Sequence, residues 1–192
     1  IYFKNDIDET VNFLEYFSEL FGLYPYHAEK YGHSMAPLGG GMEHQTMTTQ
    51  GSFSKTLTSH ELAHQWWGNQ VTCASWSDVW VNEGFASYAE YLMLEEMYPG
   101  QEITDMNDRH QNIMSQPGGS IWVADSLSDG AIFSSRLTYD KGAAFVHTLR
   151  FMLNDDAQFF QALRDYQIAF KDSVAVGIDI KNTLEAASGL DL

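Results

Sequence analysis

An α+β domain, with a small mixed β-sheet and a mainly α-helical remainder, is the architecture that three observations predict. Apolar residues recur at helical spacing along most of the chain, and strand-like composition is confined to residues 31 to 50. A hydrophobic content of 44%, with 5 Trp, 10 Tyr and 12 Phe, is enough for one sizeable core. No repeat, low-complexity tract or linker divides the 192 residues, so one domain over residues 1–192 is expected. The opening Ile1-Tyr2-Phe3-Lys4 has neither an initiator Met nor the layout of a signal peptide, which reads as a domain excised from a longer protein.

The first helix is expected over residues 6 to 21, where Ile7, Val11, Leu14, Phe17, Leu20 and Phe21 share a face. Asp6 and Glu9 serve there as cap and first-turn acid, and Gly22 as the stop. Gly39, Gly40 and Gly41 followed by Gln45-Thr46-Met47-Thr48-Thr49 suit strands near a sheet edge. Residues 55 to 68 lack an internal Gly or Pro and place Leu57, Leu62 and Trp66 close together, which predicts a second helix stopped by Gly68. A third helix is predicted from Asp78 to Met97, ending at Pro99-Gly100, and another over residues 102 to 115. Residues 116 to 137, with Pro117-Gly118-Gly119 and Asp129-Gly130, read as a long surface excursion. Helices are then expected at 139 to 153, 155 to 171 and, with Asp179 as N-cap and Gly189 as stop, 180 to 187.

Charge narrows the function classes. With 26 Asp plus Glu against 10 Lys plus Arg, the net charge of -16 repels phosphate backbones and anionic lipid, which argues against nucleic-acid partners. No run of about 18 apolar residues could form a transmembrane segment. Cys73 is the lone cysteine, so the fold stands on its core or on a metal and not on an internal disulfide.

His60-Glu61-Leu62-Ala63-His64 is an H-E-x-x-H pattern inside the second predicted helix. A separation of four places both imidazoles on one face, a turn apart, where they can share a tetrahedral zinc ion. Glu61 can reach the metal's open position without being a ligand, as a base acting on water requires. Glu83, separated from His64 by 18 intervening residues and near the start of the third helix, is the expected third ligand. Two His and one Glu leave a position for water, the mark of a catalytic site and not a structural one.

Four blocks taken together resemble one family. His60-Glu61-Leu62-Ala63-His64-Gln65-Trp66-Trp67-Gly68 and Trp80-Val81-Asn82-Glu83-Gly84-Phe85-Ala86 are similar to the gluzincin aminopeptidases, the family of aminopeptidase N and leukotriene hydrolase. Gly40-Gly41-Met42-Glu43-His44 resembles the family's G-x-M-E-N block, and Tyr139-Asp140-Lys141-Gly142-Ala143 its Tyr-x-Lys-Gly block. The blocks occur in family order, and Ala187 to Leu192 looks like the close of that catalytic domain.

The resemblance implies a thermolysin-like catalytic domain with one zinc ion, removing N-terminal residues from peptides by means of a water on the metal. It implies that His60, His64 and Glu83 bind zinc, that Glu61 is the base, that Tyr139 stabilises the oxyanion, and that Glu43 pairs with the substrate's free amine. Gly40, Gly41, Met42 and His44 would support Glu43, and Asn82 would be a partner for a ligand imidazole. His44 stands where the family usually has Asn, adding a titrating group beside Glu43. Flanking domains of the parent protein are the implied intramolecular partners, and family habit alone leans towards an exported or envelope-associated bacterial parent. Three alternatives stay open at this level: a zinc endopeptidase, an epoxide hydrolase on the same fold, or a module that is weakly active or silent in isolation.

Other features carry less. Trp66, Trp67, Trp76 and Trp80 read as core packing, Gly39-Gly40-Gly41 lacks a P-loop ending, and residues 125 to 136 lack the ligands of a calcium loop.

Overall fold

The computed structural model describes residues 3–192, so Ile1 and Tyr2 of the expected domain lie outside the described residues. The first predicted helix is two: α1 (Lys4–Asp8) and α2 (Thr10–Phe21). Asp6 lies inside α1 instead of capping it, and Glu9 sits at the break, where its carboxylate accepts a 2.9 Å hydrogen bond from the Tyr98 hydroxyl. Gly22 ends α2, its N–H returning to the Ser18 carbonyl at 3.1 Å.

The expected sheet follows as β1 (Gly32–Met35), β2 (Gly41–Met42) and β3 (Met47–Gln50). β3 is central, parallel to β1 with His33 opposite Thr48, and antiparallel to β2 with Met42 opposite Thr49. The sheet is therefore mixed, and its β2 edge carries the chain into Glu43.

Ser54 caps α3 (Lys55–Ala63), its hydroxyl accepting from Leu57 N at 3.3 Å. The helix stops short of the predicted Gly68, because the chain tightens after Ala63: Gln65 N bonds to Leu62 O and Trp66 N to Ala63 O, both at 3.0 Å. Tertiary packing drives that turn. Trp66 and Trp67 are fully buried, and Trp66 Nε1 donates to Gly22 O at 2.8 Å.

β4 (Val71–Cys73) pairs in parallel with β5 (Ser173–Ala175), a two-stranded sheet that local pattern did not predict. A 3-10 turn at Trp76–Asp78 leads into α4 (Trp80–Met97), whose first fourteen residues are nearly all buried. α5 (Gln101–Met114) follows Gly100. The excursion from 116 contains α6 (Asp129–Ile132) and gives way at Ser135–Lys141 to a π-helical segment, which continues into α7 (Gly142–Leu153). α8 (Asp156–Ala169) is capped by Asp155, and α9 (Gly177–Ser188) closes the fold. Asp179 is not the N-cap of α9 as expected; it lies inside the first turn and accepts from Val176 N at 2.9 Å.

The core is aromatic. Trp67 is stacked between Phe85 (4.0 Å) and Tyr166 (5.6 Å), while Phe17 and Phe21 meet Trp66 edge-on, at 6.3 and 6.1 Å. These contacts lock α2, α3, α4 and α8 around the segment that follows His64. Among the described residues no helix is long and apolar enough to cross a membrane.

Candidate metal centre

α3 and α4 bring His60, His64 and Glu83 together. His60 Nε2 and His64 Nε2 are 3.1 Å apart, and Glu83 Oε2 lies 3.3 and 3.2 Å from them. Ligands at the corners of a tetrahedron about 2 Å from a zinc ion stand about 3.3 Å from one another, so the three atoms have the spacing of a metal site. All three residues are buried, and among the described residues this is the one group of His, Cys, Asp and Glu with such convergence.

The far nitrogen of each ring fixes its tautomer. His60 Nδ1 donates to Glu90 Oε1 at 2.7 Å, and His64 Nδ1 donates to the Trp67 carbonyl at 2.9 Å. Both Nε2 atoms then face Glu83. Asn82 is not the imidazole partner the sequence suggested: its Oδ1 accepts from Cys73 N at 3.1 Å and ties β4 to α4.

Electrostatics give the same answer. Burial opposes a charge on His60, but Glu83 and Glu90 outweigh it and hold the imidazole up, to about 10; Glu83 does the same for His64, to about 9. Burial would raise Glu83, yet His64 and His60 hold it well below the usual carboxylate range. The pocket between these three side chains demands positive charge. A divalent cation meets that demand, and the residues fit zinc.

Glu61 projects from α3 beside the two imidazoles into a cavity of about 820 Å³, lined also by Glu43, Tyr139, Met42 and Gly40. Its Oε2 is buried without a protein partner, and burial pushes the carboxyl up to about 7 against the pull of His64 and His60. Gly41 packs on it so closely that a Cβ there would stand 2.4 Å from Glu61 Cδ.

Tyr139 lies on the π-helical segment, its ring stacked on His60 at 5.9 Å. Burial first, then the Glu83, Glu43 and Glu61 carboxylates, raise the phenol far above its ordinary value, so it stays a neutral donor. Glu43 is held through its backbone, the carbonyl accepting from Asn69 Nδ2 (2.7 Å) and Gln65 Nε2 (3.4 Å). Gln65 Oε1 accepts in turn from Thr46 N at 3.0 Å, clamping the whole turn. His44 is exposed, shares a 3.1 Å hydrogen bond with Thr49 Oγ1, and does not line the cavity.

Several residues escaped the sequence reading. Gln65 follows the H-E-x-x-H pattern directly and Asn69 lies five residues past it, but neither spacing says what an amide will grip. Glu90 lies two turns after Glu83 on the same face of α4, a seven-residue spacing that marks it. Trp76, expected in the core, is 53% exposed and lines the cavity, meeting Phe133 edge-on at 5.9 Å.

Two imidazoles and a carboxylate from neighbouring helices, with an unpaired carboxylate beside them, define the zinc metallopeptidase class of centre. The chain belongs to the peptidase M1 family: residues 5–192 match the Peptidase family M1 domain. It is 36% identical over 145 residues to mouse aminopeptidase N, covering 69% of this chain and 15% of the mouse protein. It is 34% identical over 145 residues to aminopeptidase N of Lactococcus lactis subsp. lactis, covering 71% of this chain and 17% of that protein. A mutant M1 zinc metallopeptidase from Deinococcus radiodurans, bound to a Tyr-Ser-Ala substrate, superposes with a TM-score of 0.85 at 31% identity over 95% of this chain and 41% of that one. Leukotriene A4 hydrolase of Saccharomyces cerevisiae, at 23% identity and a TM-score of 0.75 over 91% of this chain and 31% of its own, shares the fold. The chain thus spans about a sixth of the length of the curated relatives it matches.

Proposed function

We propose that residues 1–192 form the thermolysin-like catalytic domain of a zinc-dependent aminopeptidase that hydrolyses the N-terminal residue of peptides, working beside flanking domains of its parent protein. The observation that carries this reading is the convergence of His60, His64 and Glu83 next to Glu61, in one cavity with Glu43 and Tyr139. Family membership supports it.

His60, His64 and Glu83 would hold the zinc ion, which when bound polarises the scissile carbonyl and acidifies water. Glu61 takes the proton of the attacking water and passes it to the departing amine, a role open to a carboxylate whose buried Oε2 has no protein partner. The Tyr139 hydroxyl donates to the oxygen on which negative charge develops. Glu43 pairs with the ammonium of the peptide's first residue, and that charge-assisted bond sets the cut one residue from the end. Glu90 and the Trp67 carbonyl keep the two imidazoles turned towards the metal.

The test pairs metal analysis with hydrolysis of aminoacyl fluorogenic amides, free and N-acetylated, by wild type and Glu61→Gln. One zinc per chain, turnover of the free-amine substrates alone, and its loss in the variant are expected. Equal turnover of acetylated substrates would make the enzyme an endopeptidase, and absence of zinc would end the proposal.

A further inference from the structure

Arg109 belongs to none of the sequence blocks, yet its guanidinium is buried where three segments of the site meet. The residue is 8% exposed on α5. Nη2 donates to Glu90 Oε2 at 3.0 Å, and the other Glu90 oxygen accepts from His60 Nδ1 at 2.7 Å. Nη1 donates to Asp140 Oδ1 at 3.1 Å, and Asp140 follows Tyr139 on the π-helical segment. Nε and Nη2 form a two-point contact with Asp105, at 2.7 and 3.3 Å, which fixes the plane of the guanidinium. Asn112, one turn along α5, donates to the second Asp140 oxygen at 2.7 Å.

One cation thus bridges the carboxylate behind a ligand imidazole and the carboxylate beside the oxyanion donor. A buried ionic network is a poor source of net stability, because desolvation offsets most of the attraction. What it supplies is direction: a planar fork satisfies three carboxylates in one geometry, which an ammonium cannot copy.

We propose that Arg109 is a positioning residue that sets both ends of the reaction centre at once, the His60 ring through Glu90 and the Tyr139 hydroxyl through Asp140. The inference rests on the zinc aminopeptidase reading of the site. It assigns to α5, which lines none of the cavity, the alignment of metal and oxyanion donor.

The test compares wild type, Arg109→Lys, Glu90→Gln and Asp140→Asn by zinc affinity in competition with a chromophoric chelator, by steady-state kinetics on a free-amine substrate, and by thermal unfolding. Arg109→Lys keeps the charge and loses the fork. It should weaken zinc binding and lower kcat, each by about 10- to 100-fold, with KM changed less than threefold because Glu43 is untouched. The two arms should separate: Glu90→Gln weakens zinc binding, whereas Asp140→Asn lowers kcat and leaves zinc affinity at the wild-type value.

Arg109→Lys with wild-type zinc affinity and kcat would overturn the proposal. So would a fall in unfolding temperature with zinc affinity and kcat per folded molecule intact, since that is a structural role alone. If Arg109→Lys does not fold, Glu90→Gln and Asp140→Asn decide: identical effects of the two on both readouts would refute a two-armed device. Failure of the underlying reading is seen separately, as a wild type that binds no zinc.

Discussion

Gly84 on α4 and Gly142 at the start of α7 lie backbone against backbone: a Cβ on Gly142 would stand 2.9 Å from Gly84 Cα, and one on Gly84 would stand 3.0 Å from Gly142 C and Cα. Glu83 is the residue before one glycine, and Tyr139 is three before the other. The close approach therefore sets how near the π-helical segment comes to Glu83. Gly142→Ala cannot be absorbed by a flexible side chain, so the helices must separate. The expected outcome is a loss of about 1–3 kcal/mol of stability and a fall in kcat larger than any change in KM. Urea unfolding and steady-state kinetics on the same preparation check it.

Glu43→Gln keeps the shape of the side chain and removes the charge that the proposed function pairs with the substrate ammonium. A charge-assisted bond of about 2 kcal/mol predicts about a 30-fold loss of kcat/KM on free-amine substrates. Most of that loss should appear in KM. Zinc content should not change, because the contacts that hold this turn are made by the Glu43 backbone carbonyl and Thr46 N. A variant that loses zinc would contradict the assignment.

Removing the metal should leave a folded but softer protein. Two imidazoles and a carboxylate compete for positive charge in a buried pocket, and a cation bound to the native state alone adds about 4 kcal/mol when present at 1,000 times its Kd. Calorimetry should show the unfolding temperature falling after chelation and returning with one equivalent of zinc. His64→Ala should unfold at the same temperature with or without zinc.

Phe17 is fully buried, meets Trp66 edge-on and is not part of the cavity lining. Phe17→Ala should cost about 3–5 kcal/mol of stability. At a temperature where the variant remains folded, its KM and zinc affinity should stay near wild type, which separates the core's role from that of the site. A denaturant midpoint measured beside a zinc titration tests both halves of the statement.

Relations that lie within one element could be read from residue spacing. His60 and His64 share a helical face because an α-helix repeats every 3.6 residues, and Glu83 opens a helix of its own. The mixed sheet between residues 32 and 50 and the helices α5, α7, α8 and α9 follow from local composition in the same way, whereas α6 and the start of the π-helical segment fall in the stretch read as a surface excursion. Where a neighbour distant in the chain decides, spacing misleads. α3 ends at Ala63 and not at Gly68, because Trp66 and Trp67 leave the helix to fill the core between α2, α4 and α8. β4 and β5 consist of three residues each and exist only as a pair about 100 residues apart.

The sequence by itself determined the family whose blocks these are, and it offered the candidate ligands His60, His64 and Glu83 and the candidate base Glu61. Tertiary structure alone decided how those groups are held. Glu90 behind His60, the Trp67 carbonyl behind His64, Gln65 and Asn69 beneath Glu43, and Arg109 across Glu90 and Asp140 all join residues from different turns or elements. A side chain's partner across such a gap is chosen by how helices pack and by which buried polar atoms must be satisfied, and neither has a period in the sequence.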